Sequence, residues 1–112
     1  MSVKLENKKL LVEIAELGAE VTKIYDKEKN TEVLWDGNPK FWKRHSPILF
    51  PNVGKTWQNK VLISGEEYPA PSHGFARDSV FACVEHTADL ARFLLFSSEK
   101  TREVYPYDFK LY

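Results

Sequence analysis

Two segments, Leu11-Val12-Glu13-Ile14-Ala15-Glu16 and Ala19-Glu20-Val21-Thr22-Lys23-Ile24-Tyr25, decide the fold class of this chain. Both are short, rich in β-branched residues and broadly alternating between apolar and polar side chains, which is the pattern of half-buried strands. Gly18 and the polar residues 26–30 supply the turns. Glu32-Val33-Leu34-Trp35 continues as another strand and stops at Asp36-Gly37-Asn38-Pro39, a dense turn signal. The first third of the chain is therefore predicted to be a β-meander.

The rest of the chain carries further strand signals. Val61-Leu62-Ile63-Ser64 and Gly65-Glu66-Glu67-Tyr68 predict a strand and hairpin, and residues 79–86 and 91–97 predict two strands joined by a polar turn. The fold class expected from this pattern is all-β and antiparallel. The strand alternation places these apolar side chains in the core: Ile14, Val21, Ile24, Leu34, Leu62, Phe81, Leu95 and Phe109.

The last residues alternate apolar with polar side chains from Tyr107 to Tyr112 without a terminating signal. This pattern favours a strand that is still beginning, so we expect the chain to be part of something longer, with a terminal edge strand as the alternative. A sheet that is incomplete leaves unpaired strand edges, and such edges invite self-association. A homodimer formed through open strand edges is the assembly that this predicts.

Composition narrows the range of partners. Sixteen basic residues balance sixteen acidic ones, so no net field attracts nucleic acid or a membrane surface. Cys83 is the single cysteine, which excludes a disulfide framework and paired-cysteine zinc sites and favours a cytoplasmic location. No apolar run is long enough for an exported leader or a membrane span. His45, His73 and His86 lack metal-ligand spacing, so no metal and no cofactor are predicted.

Residues 38–60 form a long irregular segment that is unusually rich in large apolar groups. Prolines and Gly54 interrupt it, yet it holds Trp42, Phe50 and Trp57. Such loops are more often functional than not, so we interpret this one as a wall of a site. The alternative is that the rings only fill a small core, since buried aromatic side chains dominate core energetics.

Ser72-His73-Gly74-Phe75-Ala76-Arg77-Asp78 is the densest set of candidate functional residues. His73 can donate or accept a hydrogen bond near neutral pH, and Arg77 offers a rigid fork of donors suited to hydroxyl pairs, carboxylates or phosphates. Gly74 allows close backbone approach. The alternative is a loop whose charges pair with neighbours. Arg44-His45 is a weaker candidate, and the chain has neither a phosphate-binding glycine loop nor a serine nucleophile elbow.

Taken together, Glu32-Val33-Leu34-Trp35, Ser46-Pro47-Ile48-Leu49-Phe50-Pro51-Asn52-Val53-Gly54 and His73-Gly74-Phe75-Ala76-Arg77 resemble the aldose 1-epimerase superfamily. The likeness is to the galactose mutarotase-like branch, runs in order along the whole chain, and includes Gly18-Ala19-Glu20. It implies that residues 1–112 are the N-terminal part of a single antiparallel β-sandwich domain, a supersandwich that is incomplete in this chain.

The resemblance also implies a monosaccharide ligand and the interconversion of its α and β anomers, an isomerase reaction. By that resemblance His73 is the catalytic candidate and Arg77 a substrate-binding candidate. Trp42, Phe50 and Trp57 are the aromatic substrate-binding candidates, because a sugar needs an apolar face beside directional donors. The ligand is a hexose or a hexose phosphate. The family's principal acid histidine and base glutamate have no counterpart here, so we expect sugar binding without turnover. The alternatives are a non-catalytic carbohydrate-binding module and a truncated product stabilised by self-association.

Overall fold

The meander predicted at the start of the chain is present in the computed structural model, which describes residues 1–112. Four antiparallel strands pair in sequence order, and they are β1 (Ser2–Glu6), β2 (Leu10–Ala15), β3 (Glu20–Asp26) and β4 (Thr31–Glu32). β2 and β3 lie within one residue of their predicted positions. β1 was not predicted, and β4 ends at Glu32, three residues before the end of the strand predicted over residues 32–35.

The middle of the chain forms a separate two-stranded hairpin, β5 (Lys60–Ile63) and β6 (Glu66–Pro69). Its turn residues Ser64 and Gly65 both have positive φ, 50° and 82°. This is the geometry of the type I′ turns that suit the twist of tight hairpins. The predicted strand and hairpin are therefore confirmed here.

The last part of the chain forms a three-stranded antiparallel sheet from β7 (Ala82–His86), β8 (Ala91–Phe96) and β9 (Lys110–Leu111). A single helical turn, α1 (Glu99–Arg102), lies between β8 and β9. The bridge between Leu17 and Val80 joins this sheet to the meander. A backbone bond from Phe81 N–H to the Glu16 carbonyl oxygen, 2.9 Å long, reinforces that junction.

The core lies between these two sheets. Its buried members are Val3 and Ile14 from the meander and Ala76, Phe81, Phe93 and Leu95 from the second half of the chain. Of the core residues predicted from alternation, Ile14, Phe81 and Leu95 are buried and Val21, Ile24, Leu34 and Phe109 are half-buried. The prediction for Leu62 is wrong, because its side chain is 69% exposed and lies on the face of the hairpin opposite Val61 and Ile63. No helix in the chain has the length and apolar character needed to cross a membrane.

Candidate functional site

The two loops singled out in the sequence are joined at Phe50 and Gly74. A parallel bridge pairs these residues, and the Phe50 carbonyl oxygen accepts backbone N–H bonds from Phe75 at 2.9 Å and Ala76 at 3.1 Å. Gly74 has φ +72°, and a Cβ at this position would lie 2.1 Å from the Phe50 oxygen. Glycine is required here because any side chain would push the two loops apart.

His73 is held against Gly54 by two hydrogen bonds. Its backbone N–H donates to the Gly54 carbonyl oxygen at 3.0 Å, and the Gly54 N–H donates to His73 Nδ1 at 2.8 Å. Asn52 Nδ2 donates to the same Gly54 oxygen and to the Pro71 oxygen, each at 3.2 Å. His73 has φ +63°, an uncommon conformation for a residue with a side chain. The surrounding bonds hold it there, as is typical of ligand-binding segments.

These bonds fix the chemical character of the His73 ring. Because Nδ1 accepts a hydrogen bond from Gly54, its lone pair is occupied and the proton of the neutral imidazole lies on Nε2. The ring therefore presents an N–H donor at Nε2. It is suited to stabilising developing negative charge on an oxygen, and it has no second lone pair with which to remove a proton.

Arg77 lies four residues beyond His73, in a short 3-10 turn over Ala76–Asp78. Its Nη2 donates to the Ser72 carbonyl oxygen at 2.9 Å, which folds the guanidinium back over the motif. Its Nε is buried and has no hydrogen-bond partner. The motif that sequence analysis identified is thus one local unit in which His73 and Arg77 are held by the same loop.

Arg44, a weak candidate from sequence, is brought to this unit by an ion pair. Its Nη2 lies 2.9 Å from Asp78 Oδ1, and its side chain is 20% exposed.

Glu20 on β3, which sequence reasoning did not select, anchors the loop that carries Arg44. Glu20 Oε1 accepts backbone N–H bonds from His45 at 2.8 Å and Ser46 at 3.1 Å.

The aromatic candidates separate into two groups. Phe50 is half-buried in a cluster with Phe75, Tyr105 and Phe109, with ring centroids 5.1–6.0 Å apart. Trp42 and Trp57 take part in no ring pair with Phe50, and their side chains are 49% and 85% exposed. The exposed indoles are therefore the rings that are available for stacking.

No three His, Cys, Asp or Glu side chains converge on a point that could hold a metal ion. The charged groups of the motif instead pair with other protein groups. The motif offers hydrogen-bond donors, and the loop over residues 38–60 carries exposed indoles; both are kinds of group that bind a polyhydroxylated ligand.

Comparison with known proteins gives a consistent result. The family model for aldose 1-epimerase matches residues 1–112. The plasmid-encoded Protein LacX of Lactococcus lactis subsp. lactis is 30% identical over 116 residues, covering 99% of this chain and 38% of the relative. A galactose mutarotase related enzyme from Lactobacillus acidophilus superposes with a TM-score of 0.95 at 37% identity, over 98% of this chain and 37% of that one. A galactose mutarotase-like protein from Lactobacillus casei ATCC 334 gives a TM-score of 0.95 at 34% identity, with the same coverage.

The antiparallel sheets and the joined loop pair are thus those of the galactose mutarotase-like fold. The chain belongs to the aldose 1-epimerase family, since the family model spans all of its residues. The predicted family and the predicted all-β fold class are both confirmed. The chain spans a little over a third of the length of the relatives it matches.

Proposed function

We propose that this chain supplies the sugar-binding wall of an aldose 1-epimerase, as the N-terminal part of a single sandwich domain acting in the cytoplasm. The reaction served by that wall is the interconversion of the α and β anomers of a hexose or hexose phosphate. The observation that supports this role best is the 2.8 Å bond from Gly54 N–H to His73 Nδ1, because it commits Nε2 to donate.

The chemistry of anomer exchange explains the value of such a donor. Ring opening requires a proton at the ring oxygen while another leaves the anomeric hydroxyl, and rotation and reclosure then give the other anomer. The Nε2–H of His73 would stabilise charge that develops on the ring oxygen. Arg77 would donate to sugar hydroxyls or to a phosphate, and Trp42 or Trp57 would stack on the apolar face of the sugar.

The carboxylates that lie near the motif in sequence support a binding role over turnover by this chain alone. Four of them are ion-paired: Asp78 with Arg44, Glu85 with Arg92, Glu67 with Lys60 and Asp108 with Arg102. Glu66 accepts a hydrogen bond from the Tyr68 hydroxyl at 3.1 Å. A carboxylate that is paired with a cation or accepts a hydrogen bond is a poor base. The base that removes the proton of the anomeric hydroxyl would therefore have to come from elsewhere.

Sugar titration of the ¹⁵N-labelled chain tests the proposal. Galactose, glucose and glucose 6-phosphate should each be added while backbone amide shifts are followed by NMR. We expect the largest shifts at Gly54, His73 and Arg77, and a loss of most of the response in His73→Ala. His86→Ala is the matched control, since the His86 ring hydrogen-bonds the Lys4 carbonyl oxygen, outside the motif. Saturable shifts confined to other regions, or none with any of the three sugars, would contradict the proposed site.

A further inference from the structure

The side-chain amide of Asn52 links the two loops of the candidate site. Its Nδ2 donates to the Gly54 carbonyl oxygen and to the Pro71 carbonyl oxygen, each at 3.2 Å. The second bond spans 19 residues of sequence and reaches the segment that leads into His73. Asn52 is half-buried, so water competes only in part for these donors.

The chemistry of the two acceptors requires an amide at this position. A carbonyl oxygen accepts hydrogen bonds and donates none, so two carbonyl partners require a group that carries two N–H bonds. The NH₂ group of asparagine has two, whereas the carboxylate of aspartate has the same shape and none. The two contacts therefore also fix which way the Asn52 amide is turned.

Gly54 connects Asn52 to the His73 ring. The Gly54 carbonyl oxygen accepts from Asn52 and, at 3.0 Å, from the His73 backbone N–H, so both of its lone pairs are used. The N–H of the same glycine donates to His73 Nδ1 at 2.8 Å. Gly54 has φ +77°, and apart from its chain neighbours no atom lies within 4 Å of its Cβ position. Hydrogen bonds, and not close packing, therefore hold Gly54 in this orientation.

We propose that Asn52 is a positioning residue for His73. By tying Gly54 to Pro71 it directs the Gly54 N–H at Nδ1 and keeps Nε2 as the donor of the ring. Without this tie, the wide conformational range of glycine lets the Gly54 N–H turn away, and Nδ1 then carries the proton in part of the molecules. The use of the Nε2 donor rests on the proposed function, whereas the hydrogen-bond arrangement does not.

NMR of the ¹⁵N-labelled chain, without sugar, tests this inference. Scalar coupling across the hydrogen bond between Gly54 N and His73 Nδ1 detects the bond itself, and the ring nitrogen shifts report the tautomer. We expect the coupling and a single Nε2–H tautomer in the unmodified chain. In Asn52→Ala we expect the coupling to disappear, the tautomers to mix, and the Gly54 amide to exchange with solvent about tenfold faster or more.

Asn7→Ala is the matched control. Asn7 Oδ1 accepts backbone N–H bonds from Lys9 and Leu10, each at 2.8 Å, in the turn between β1 and β2. The control thus removes the same number of bonds between a side chain and the backbone, outside the candidate site. It should leave the Gly54 coupling and exchange rate unchanged. Asn52→Asp keeps the side-chain shape without its donors, so it should give the same changes as Asn52→Ala.

The absence of the coupling in the unmodified chain would overturn the inference without any variant. So would a coupling that persists in Asn52→Ala, or Gly54 exchange that accelerates equally in Asn7→Ala, because Asn52 would then contribute stability alone. Circular dichroism should show that each variant keeps the native strand signal. These readouts need no sugar, so a chain that shows all of them and still fails to respond to sugar contradicts only the proposed function.

Discussion

At the scale of single residues, Gly74 joins the two loops of the candidate site. Two features require glycine at this position. Its φ is positive, and a Cβ would lie 2.1 Å from the Phe50 oxygen. We predict that Gly74→Ala lowers the free energy of unfolding by about 3 kcal/mol or more, because backbone strain and a backbone clash add. Gly65→Ala is the control, since its φ of +82° is similar and no atom lies near its Cβ position. It should cost only about 1–2 kcal/mol.

Urea unfolding followed by tryptophan fluorescence measures both values on one scale. Equal losses for the two variants would show that the Phe50 loop moves away at little cost. In that case the bridge would not define the distance between the loops.

Glu20 provides a second test at this scale. Its carboxylate is 16% exposed and accepts two backbone N–H bonds from the loop that carries Arg44. Glu20→Ala leaves those donors unpaired, so we predict a loss of about 2–3 kcal/mol in unfolding free energy. Glu20→Gln keeps an acceptor oxygen and should lose about half as much. Glu28→Ala, in an exposed turn, should change the urea midpoint little, and a similarly small change in Glu20→Ala would refute the anchoring role.

The sequence pointed to the candidate residues themselves but not to the hydrogen bonds and ion pairs that hold them. His73 and Arg77 lie in one short motif, so their spacing in the sequence was enough to select them as candidates. The contacts between His73 and Gly54, Glu20 and His45, and Arg44 and Asp78 span 19, 25 and 34 residues. No periodicity encodes contacts at those separations, because they depend on how the sheets place the loops. The tautomer of His73 could be read only from such a contact.

At the scale of elements, the ion pair between Arg102 and Asp108 holds α1 to the segment that leads into β9. Arg102 donates Nε and Nη2 bonds to Asp108 Oδ1 at 3.0 and 2.6 Å. These hydrogen bonds, with the charge of Arg102, lower the pKa of the Asp108 carboxyl below its ordinary value. A lowered folded-state pKa contributes stability above the unfolded value of about 3.9, and that contribution is lost as pH falls through the folded pKa.

We therefore predict that the Asp108 carboxyl titrates below its ordinary value of about 3.9 and that Arg102→Gln raises its midpoint towards that value. NMR of the carboxyl carbons during an acid titration measures both midpoints. Lys27→Gln is the control, because Lys27 lowers the pKa of Glu6 in the same way and does not contact Asp108. An Asp108 midpoint that is unchanged in Arg102→Gln would show that the pair is not formed in solution.

Alternation predicted most strands because each has one covered face. It missed β1, which carries the buried Val3, and its other failures lie where cover is absent or the element is short. α1 has four residues, too few for helical periodicity, and is held by a reciprocal cap between Ser98 and Thr101. The strand predicted through Trp35 ends early, and the Trp35 indole donates to the Trp42 carbonyl oxygen at 2.8 Å. For Leu62, alternation distinguished the two faces of the hairpin but not which of them is covered.

At the scale of the whole molecule, the available acid and base groups decide whether residues 1–112 can catalyse anomer exchange alone. His73 is a donor through Nε2, and the carboxylates near the motif are engaged by Arg44, Arg92, Lys60, Arg102 or the Tyr68 hydroxyl. An isolated donor stabilises charge on the ring oxygen but cannot also deprotonate the anomeric hydroxyl. Under the proposed function the chain would therefore supply an assisting hydrogen-bond donor, with the principal acid and base coming from elsewhere.

The loss of one positioned acid or base typically reduces a rate by about 10²- to 10⁴-fold. We therefore predict that residues 1–112 do not accelerate anomer exchange of freshly dissolved glucose or galactose above the buffer blank, and that His73→Ala leaves this rate unchanged. Polarimetry, or NMR that resolves the anomeric protons, measures the rate. A rate well above the blank that disappears in His73→Ala would contradict the prediction, because removing the donor could abolish turnover only if this chain also supplied a working base.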